Sequence, residues 1–291
     1  MDPLTVLLAL GATLCWSSTW ILMKAGVNEM DRTAFGVLRP WIGLLFLLPL
    51  AGILGGFTFG SPRLVLVALS SGFLNAYAGV GLFYYALSKG SLHKTNILSG
   101  TGPFWGAVSA ILVLSEPARW EALVAAILIV GGTYFLARRQ PEEVHNEGAR
   151  PTLAALAAGV LFGFTAAVPS KYCLSQGMSQ MAYQLVFMLS AGIAWSLAAL
   201  PKLLRRQLAF TRKGIGIAWA SAFTGLFAGW VLWLLAIERT DASVLAPFNG
   251  LTMLFAVLLG ALFFRERITR RILIGGLLML AGVTLVSVFA R

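Results

Sequence analysis

The chain has 291 residues, 58% of them hydrophobic and only 11% charged, with a net charge of +11. A chain this apolar can satisfy its backbone in lipid only as helices or a closed barrel, and no stretch of it is polar enough for a separate soluble domain. The basic excess is spread over five loops instead of forming one stripe, which argues against nucleic acid and points to anionic lipid and topology.

Ten apolar runs of about 20 residues predict an all-α integral membrane protein with ten transmembrane helices. In chain order they cover about Leu4 to Met23, Ala34 to Leu54, Leu64 to Leu87, Thr95 to Leu114, Trp120 to Ala137, Leu153 to Tyr172, Met181 to Leu200, Ile215 to Ile237, Ala242 to Phe264 and Ile272 to Ala290. The first follows Met1-Asp2-Pro3 without a basic n-region or a small-residue cleavage pattern, so it reads as a retained span. The one hydrophilic stretch, Arg138 to Arg150, separates the halves: residues 1–140, a linker over 141–151, and residues 152–291.

The halves are copies. At an offset of 150 positions, Ser71, Gly79, Ala86, Gly100, Glu116 and Gly132 meet Ser221, Gly229, Ala236, Gly250, Glu266 and Gly282. Five helices per half is an odd number, so the second copy enters the membrane from the opposite side. Such an inverted repeat around a central cavity is how secondary transporters reach two related conformations, although duplicated helical halves also occur in channels and membrane enzymes. Of the 22 basic residues, 16 lie in the odd-numbered loops, which makes those loops cytoplasmic and puts both termini outside.

The residue inventory disfavours catalysis. His93 and His145 are the only histidines and lie in different loops, so no metal cluster or histidine-based triad can be assembled, and no glycine-rich phosphate loop follows a strand. Neither a metal nor a cofactor is expected. Cys15 and Cys173 read as small packing residues. All eleven acidic residues fall in loops or at helix ends, which removes the simplest basis for a buried proton site or a pocket for a permanent cation. Glu116 and Glu266 read as caps or ion pairs at helix turns, with Arg119 and Arg265 or Arg267 beside them.

Candidate substrate contacts come from helical spacing. Ser17, Trp20 and Lys24 share a face of the first helix, with Trp16 one turn below Trp20. The third helix offers Tyr77 and Tyr84, and the offset sets Phe227 opposite Tyr77. The fourth presents Asn96, Ser99 and Pro103, and Ser99 aligns with Asn249 in the second copy. Any one of these aromatics has packing or interface anchoring as its plainer explanation; polar groups within spans require partners. Arg39, about six residues into the second helix, could pair with a substrate carboxylate or with backbone carbonyls. Lys24 and Lys171 read as snorkelling at matching helix ends. Pro40, Pro103, Pro169 and Pro247 interrupt spans and are candidate gating bends, though such prolines also occur in static helices. Gly52-x3-Gly56, Gly102-x3-Gly106 and Gly225-x3-Gly229 read as sites of close helix packing.

Leu14-Cys15-Trp16-Ser17-Ser18, Arg39-Pro40, Tyr85-Ala86-Leu87 and Pro103 followed by Glu116-Pro117 resemble the drug/metabolite transporter superfamily, specifically its EamA-type members. The resemblance covers essentially the whole chain. The second copy departs from the pattern, with Met253 where Pro103 would recur and Phe187 near the place of Arg39, so any contact at Arg39 is asymmetric. The resemblance implies export of small metabolites, commonly amino acids, across a bacterial inner membrane, and the expected working unit is a monomer. The abundance of Trp and Tyr makes the chain similar to the aromatic amino acid exporters of that group. The expected activity is therefore alternating-access export of neutral or zwitterionic metabolites. Export of other metabolites or drugs is the alternative within the same superfamily, and a membrane enzyme or a non-transporting scaffold is the alternative from another class.

Overall fold

A computed structural model describes residues 1–53, 55–89, 92–137, 149–264 and 270–289. Every regular element among them is helical. We number ten helices: α1 (Pro3–Glu29), α2 (Arg32–Ile53), α3 (residues 62–89), α4 (residues 92–114), α5 (Trp120–Ala137), α6 (Ala149–Ser175), α7 (Gln180–Leu204), α8 (Arg212–Ile237), α9 (residues 242–264) and α10 (Arg270–Phe289). Among the described residues nine are long and apolar enough to cross a membrane, and the apolar stretch of α5, Trp120–Leu136, is shorter at 17 residues. That is still at the lower limit of about 17 residues for spanning the hydrocarbon layer. The helices overrun the apolar runs because a cap ends a helix, whereas a charged residue does not. Asp2 accepts from the Thr5 N–H at the start of α1, Ser179 from Ala182 at α7, and Thr211 from Gly214 at α8.

Four helices are irregular, at related places. In α3 and α8 the middle turns are π-helical, over Phe73–Gly79 and Ala222–Gly229. α4 is broken between Leu92–Ser99 and Gly102–Leu114, and α9 passes through a 3₁₀ segment, Ala246–Gly250, before resuming at Leu251. Pro103 therefore starts a helical segment instead of interrupting one, in the first-turn position where its missing N–H costs nothing. Pro247 likewise opens the 3₁₀ segment. Pro40 and Pro169 do lie inside continuous helices.

Helix packing exchanges the two halves. α1 packs on α8 and α9, and α6 on α3 and α4; α2 packs on α7 and α8, and α7 on α2 and α3; α5 and α10 pack on each other. Small residues set the closest approaches. A Cβ on Gly163 of α6 would stand 2.0 Å from the Gly102 carbonyl, and one on Gly275 of α10 2.7 Å from that of Gly132 in α5. Gly102 and Gly106 thus serve packing as expected, against a Gly159-x3-Gly163 pair that the sequence reading passed over. Gly52 and Gly56 do not: a Cβ on either would meet nothing within 4 Å, and Gly56 lies beyond α2 at φ +85°. The outer surface carries large apolar side chains such as Leu7, Leu45, Leu66, Ile127, Leu197 and Leu277, as a lipid-facing surface requires.

Candidate functional site

The π-turns and helix breaks converge on a central cavity of about 240 Å³. A π-turn leaves backbone carbonyls without their usual partners, and here side chains from neighbouring helices supply them. Trp195 Nε1 donates to the Ala76 carbonyl at 2.7 Å, and Trp16 Nε1 to that of Gly225 at 3.1 Å. Gln184 Nε2 donates to Leu226 and Phe227 carbonyls at 2.7 and 3.1 Å. The irregular backbone thus lies inside the protein or along the cavity, the two settings at membrane depth where such backbone is tolerated.

Positions related by the 150-residue offset line the cavity together: Asn75 with Gly225, Ala76 with Leu226, Val80 with Trp230, Ser99 with Asn249, Gly100 with Gly250, and Pro103 with Met253. The apolar wall is aromatic. Trp20 meets Phe83 edge-on at 4.5 Å and Phe162 at 5.9 Å, and Trp16 meets Trp230 at 5.7 Å. Polar groups are few: Asn75 Nδ2 donates to Thr165 Oγ1 at 2.7 Å, Ser99 Oγ to the Thr95 carbonyl at 2.8 Å, and the Thr19 and Thr224 hydroxyls lie 2.7 Å apart.

Arg39 reaches this wall from α2 with 6% of its surface exposed. Its guanidinium lies 5.8 Å from the centre of the Phe35 ring, and Nη2 would be 3.2 Å from a Cβ on Gly225, so the glycine makes room for it. Nε has no hydrogen-bond acceptor, and the buried Tyr84 hydroxyl is the polar group that stands beside the guanidinium.

Of the predicted contacts, Trp16, Trp20, Arg39, Ser99 and Asn249 line the cavity, as do Pro40 and Pro103 among the candidate gating prolines. Ser17 does not. It is fully buried between α1 and α9, its hydroxyl 2.6 Å from the Thr13 carbonyl and 2.8 Å from that of Thr252, because a hydroxyl on this face meets backbone before it meets open space. Tyr77 packs edge-on against Trp195 at 5.1 Å, Tyr84 lies 6.3 Å from the same ring, and Phe227 packs on Phe46 and Phe223. None of the three is on the cavity wall. Pro169 and Pro247 are buried off it as well. The side chain of Asn96 lies outside the described residues, as do Glu266, Arg265 and Arg267. The sequence reading missed Asn75, Phe83, Phe162, Trp195 and Trp230. The 150-residue offset sets Asn75 opposite Gly225 of the packing motif, a signal in the sequence that went unused.

At the even-loop end the helices are tied together. Glu116 accepts from the N–H groups of Ala242 and Ser243, both at 2.8 Å, which makes it a cap for α9 in place of an ion pair with Arg119. Arg119 pairs instead with Asp241 at 3.5 Å. Lys171 is not snorkelling: its Nζ donates to the Ile237 and Thr240 carbonyls at 2.9 and 2.7 Å and so caps α8. Lys24 is exposed, as snorkelling requires. The cavity occupies the middles of α6, α8 and α9 but the odd-loop halves of α1, α2, α5 and α7. It therefore leans toward the odd-loop end, away from these ties.

Helices with an outer apolar surface, an irregular buried midsection and a central chamber define a polytopic membrane transporter. The chain belongs to the EamA-like transporter family, which matches residues 3–138 and 150–288. It is 22% identical over 287 residues to an uncharacterized transporter of Archaeoglobus fulgidus, covering 97% of each chain. It is 20% identical to the uncharacterized transporter YoaV of Bacillus subtilis, covering 94% of this chain and 93% of that one. A shorter stretch of 72 residues, 25% of this chain and 62% of the relative, is 36% identical to a probable 4-amino-4-deoxy-L-arabinose-phosphoundecaprenol flippase subunit, ArnE, of Pseudomonas fluorescens. A solved crystal structure shares the fold over 100% of this chain and 99% of its own, with a TM-score of 0.83 at 15% identity.

Proposed function

We propose that the protein is a secondary transporter of a bacterial inner membrane that exports small neutral or zwitterionic metabolites, amino acids including aromatic ones, by alternating access. In this reading the halves, residues 1–140 and 152–291, are inverted copies, both termini face the periplasm, and a monomer with no cofactor is the working unit. The observation that carries it is the lining of one cavity by offset-related residues of both halves, Ser99 with Asn249 foremost. A site shared equally by two inverted copies is one that either face can reach in turn. Size supports a small solute: about 240 Å³ lies just under the range of roughly 300 to 1,000 Å³ usual for small-molecule sites. The aromatic wall supports a flat apolar side chain.

Ser99→Cys and Asn249→Cys test the reading. Both should react with a small membrane-impermeant thiol reagent, substrate should protect both, and conditions favouring the outward state should raise reactivity from outside at both together. Inert cysteines at both positions in a folded protein would show that these side chains serve helix packing, and the transport reading at this site would fall.

A further inference from the structure

The cavity has a single-signed charge. Among the described residues Arg39 is the only ionisable side chain on its wall, and no Asp or Glu lines it. The ion pairs of the described residues join Arg119 to Asp241, Lys202 to Asp31 and Lys213 to Glu29, all at helix ends, and none involves Arg39. Other donors near the cavity reach backbone carbonyls, Trp16 and Trp195 one each and Gln184 Nε2 two, while the buried atoms left without a partner among the described residues, besides Arg39 Nε, are uncharged ones such as the Ser221, Ser243 and Thr252 hydroxyls. Arg39 has a ring face, the neutral Tyr84 hydroxyl beside it, a glycine beside Nη2 and a buried Nε with no acceptor, but no anion. A guanidinium taken out of water in this way is costly unless an anion arrives. Gly36, one turn earlier on α2, brings the Trp195 ring against the same stretch, since a Cβ there would stand 2.6 Å from that ring. The cation is thus set beside a flat apolar surface.

We infer that Arg39 is the substrate-binding cation of the cavity and that the substrate class is a monocarboxylate on a flat apolar body, recognised by its carboxylate and not by an ammonium. This rests on the reading of the cavity as the transport site and moves its substrate class from neutral or zwitterionic solutes to carboxylates with or without an amine. A planar guanidinium matches a carboxylate with two parallel hydrogen bonds. A substrate ammonium meets only amide and hydroxyl dipoles and aromatic faces, with Arg39 repelling it. Aromatic carboxylates that lack the amine therefore bind at least as well as the parent amino acid. A phosphate monoester, doubly charged, finds one cation where it needs more.

The test uses the full-length protein purified in detergent and four matched probes: 3-phenylpropionate, phenylalanine, phenylalaninamide and phenyl phosphate. Thermal stabilisation against probe concentration reads binding without interference from membrane permeation. The two carboxylates should reach half-maximal stabilisation at about tenfold lower concentration than phenylalaninamide, the value of one charge-assisted contact. Arg39→Gln should abolish that difference without lowering the unfolding temperature of the ligand-free protein, and Arg39→Lys should retain part of it. Phenylalaninamide binding as tightly as 3-phenylpropionate would overturn the inference. So would a preference that survives Arg39→Gln, tightest binding of phenyl phosphate, or no stabilisation by any probe. Cysteine labelling keeps the two readings separate. Alternating reactivity at Ser99→Cys and Asn249→Cys with unchanged charge selectivity in Arg39→Gln leaves transport standing and removes the carboxylate site; charge selectivity lost at Arg39→Gln with inert cysteines does the reverse.

Discussion

The indole N–H of Trp195 on α7 donates to the backbone carbonyl of Ala76 on α3 at 2.7 Å, across 119 positions of sequence. Ala76 lies in a π-turn, and its repeat equivalent in α8 is Leu226, adjacent to Gly225, whose carbonyl accepts from Trp16. Each half thus lends an aromatic donor to the irregular turn of the other, while Gln184 supports the α8 turn from within its own half.

Trp195→Phe should keep the ring but leave the Ala76 carbonyl without its donor in an apolar setting. We expect a loss of about 1 to 3 kcal/mol, the ordinary cost of a buried unsatisfied acceptor. Trp16→Phe should cost a similar amount through Gly225. Thermal unfolding in detergent measures both, and a variant as stable as the parent would mean that water or a π-turn rearrangement satisfies the carbonyl.

Gly163→Ala should be among the most damaging small changes in the chain. The added methyl would stand 2.0 Å from the Gly102 carbonyl and 2.8 Å from the Gly106 nitrogen, both backbone, so α4 and α6 must separate. Overpacking of this kind costs about 1 to 3 kcal/mol or more. Gly131→Ala, where a Cβ meets nothing within 4 Å, is the control, and folded yield with unfolding temperature for the pair decides the matter.

Asp31 gives the protein a sensitivity to acid. Burial opposes its charge, but the hydrogen bond from Lys202 and the Thr33 and Ala34 N–H groups at the start of α2 outweigh it and hold the carboxyl below its ordinary value of 3.8. A carboxyl depressed in the folded state stabilises the fold above the unfolded pKa, and the contribution disappears as pH falls through the folded one. Unfolding temperature should therefore decline below about pH 4, and Asp31→Asn should remove part of that decline while lowering stability at neutral pH. An unchanged acid profile in Asp31→Asn would assign the decline to other carboxylates.

Glu116→Ala should weaken the junction of α4 and α9 by removing the acceptor for two N–H groups, at about 0.5 to 2 kcal/mol. Glu116→Gln keeps one acceptor and should cost less, with transport of a neutral substrate still running without an imposed pH gradient. Loss of transport in Glu116→Gln at normal expression would mean that this carboxylate takes part in coupling.

Reporters fused to Arg291 and to the Arg205-Arg206 loop should appear on opposite sides of the membrane, with the C-terminus outside, since 16 of 22 basic residues lie in the odd loops. A cytoplasmic C-terminus would reverse the direction in which the cavity leans.

Apolar run length located the ten helices to within a few residues, because lipid imposes the same requirement on every spanning segment whatever its neighbours. The repeat was legible for a related reason: Gly100 and Gly250 or Glu116 and Glu266 recur at one offset without reference to any contact. Which side chains face the chamber was not legible. Ser17 and Trp16 are adjacent in α1, yet one hydroxyl ends on the Thr252 carbonyl and the neighbouring indole reaches the wall, a difference set by how α9 and α8 pack on α1. The sequence reading expects Tyr77 as a contact and passes over Trp195, yet of the two only Trp195 lines the cavity, with its N–H anchored on a π-turn that no local signal in the sequence marks. Lys171 and Lys24 looked equivalent until α8 placed two carbonyls beside only the first. In each case the deciding partner comes from a helix remote in sequence, so helix existence is a local property and the composition of the site is a product of tertiary packing.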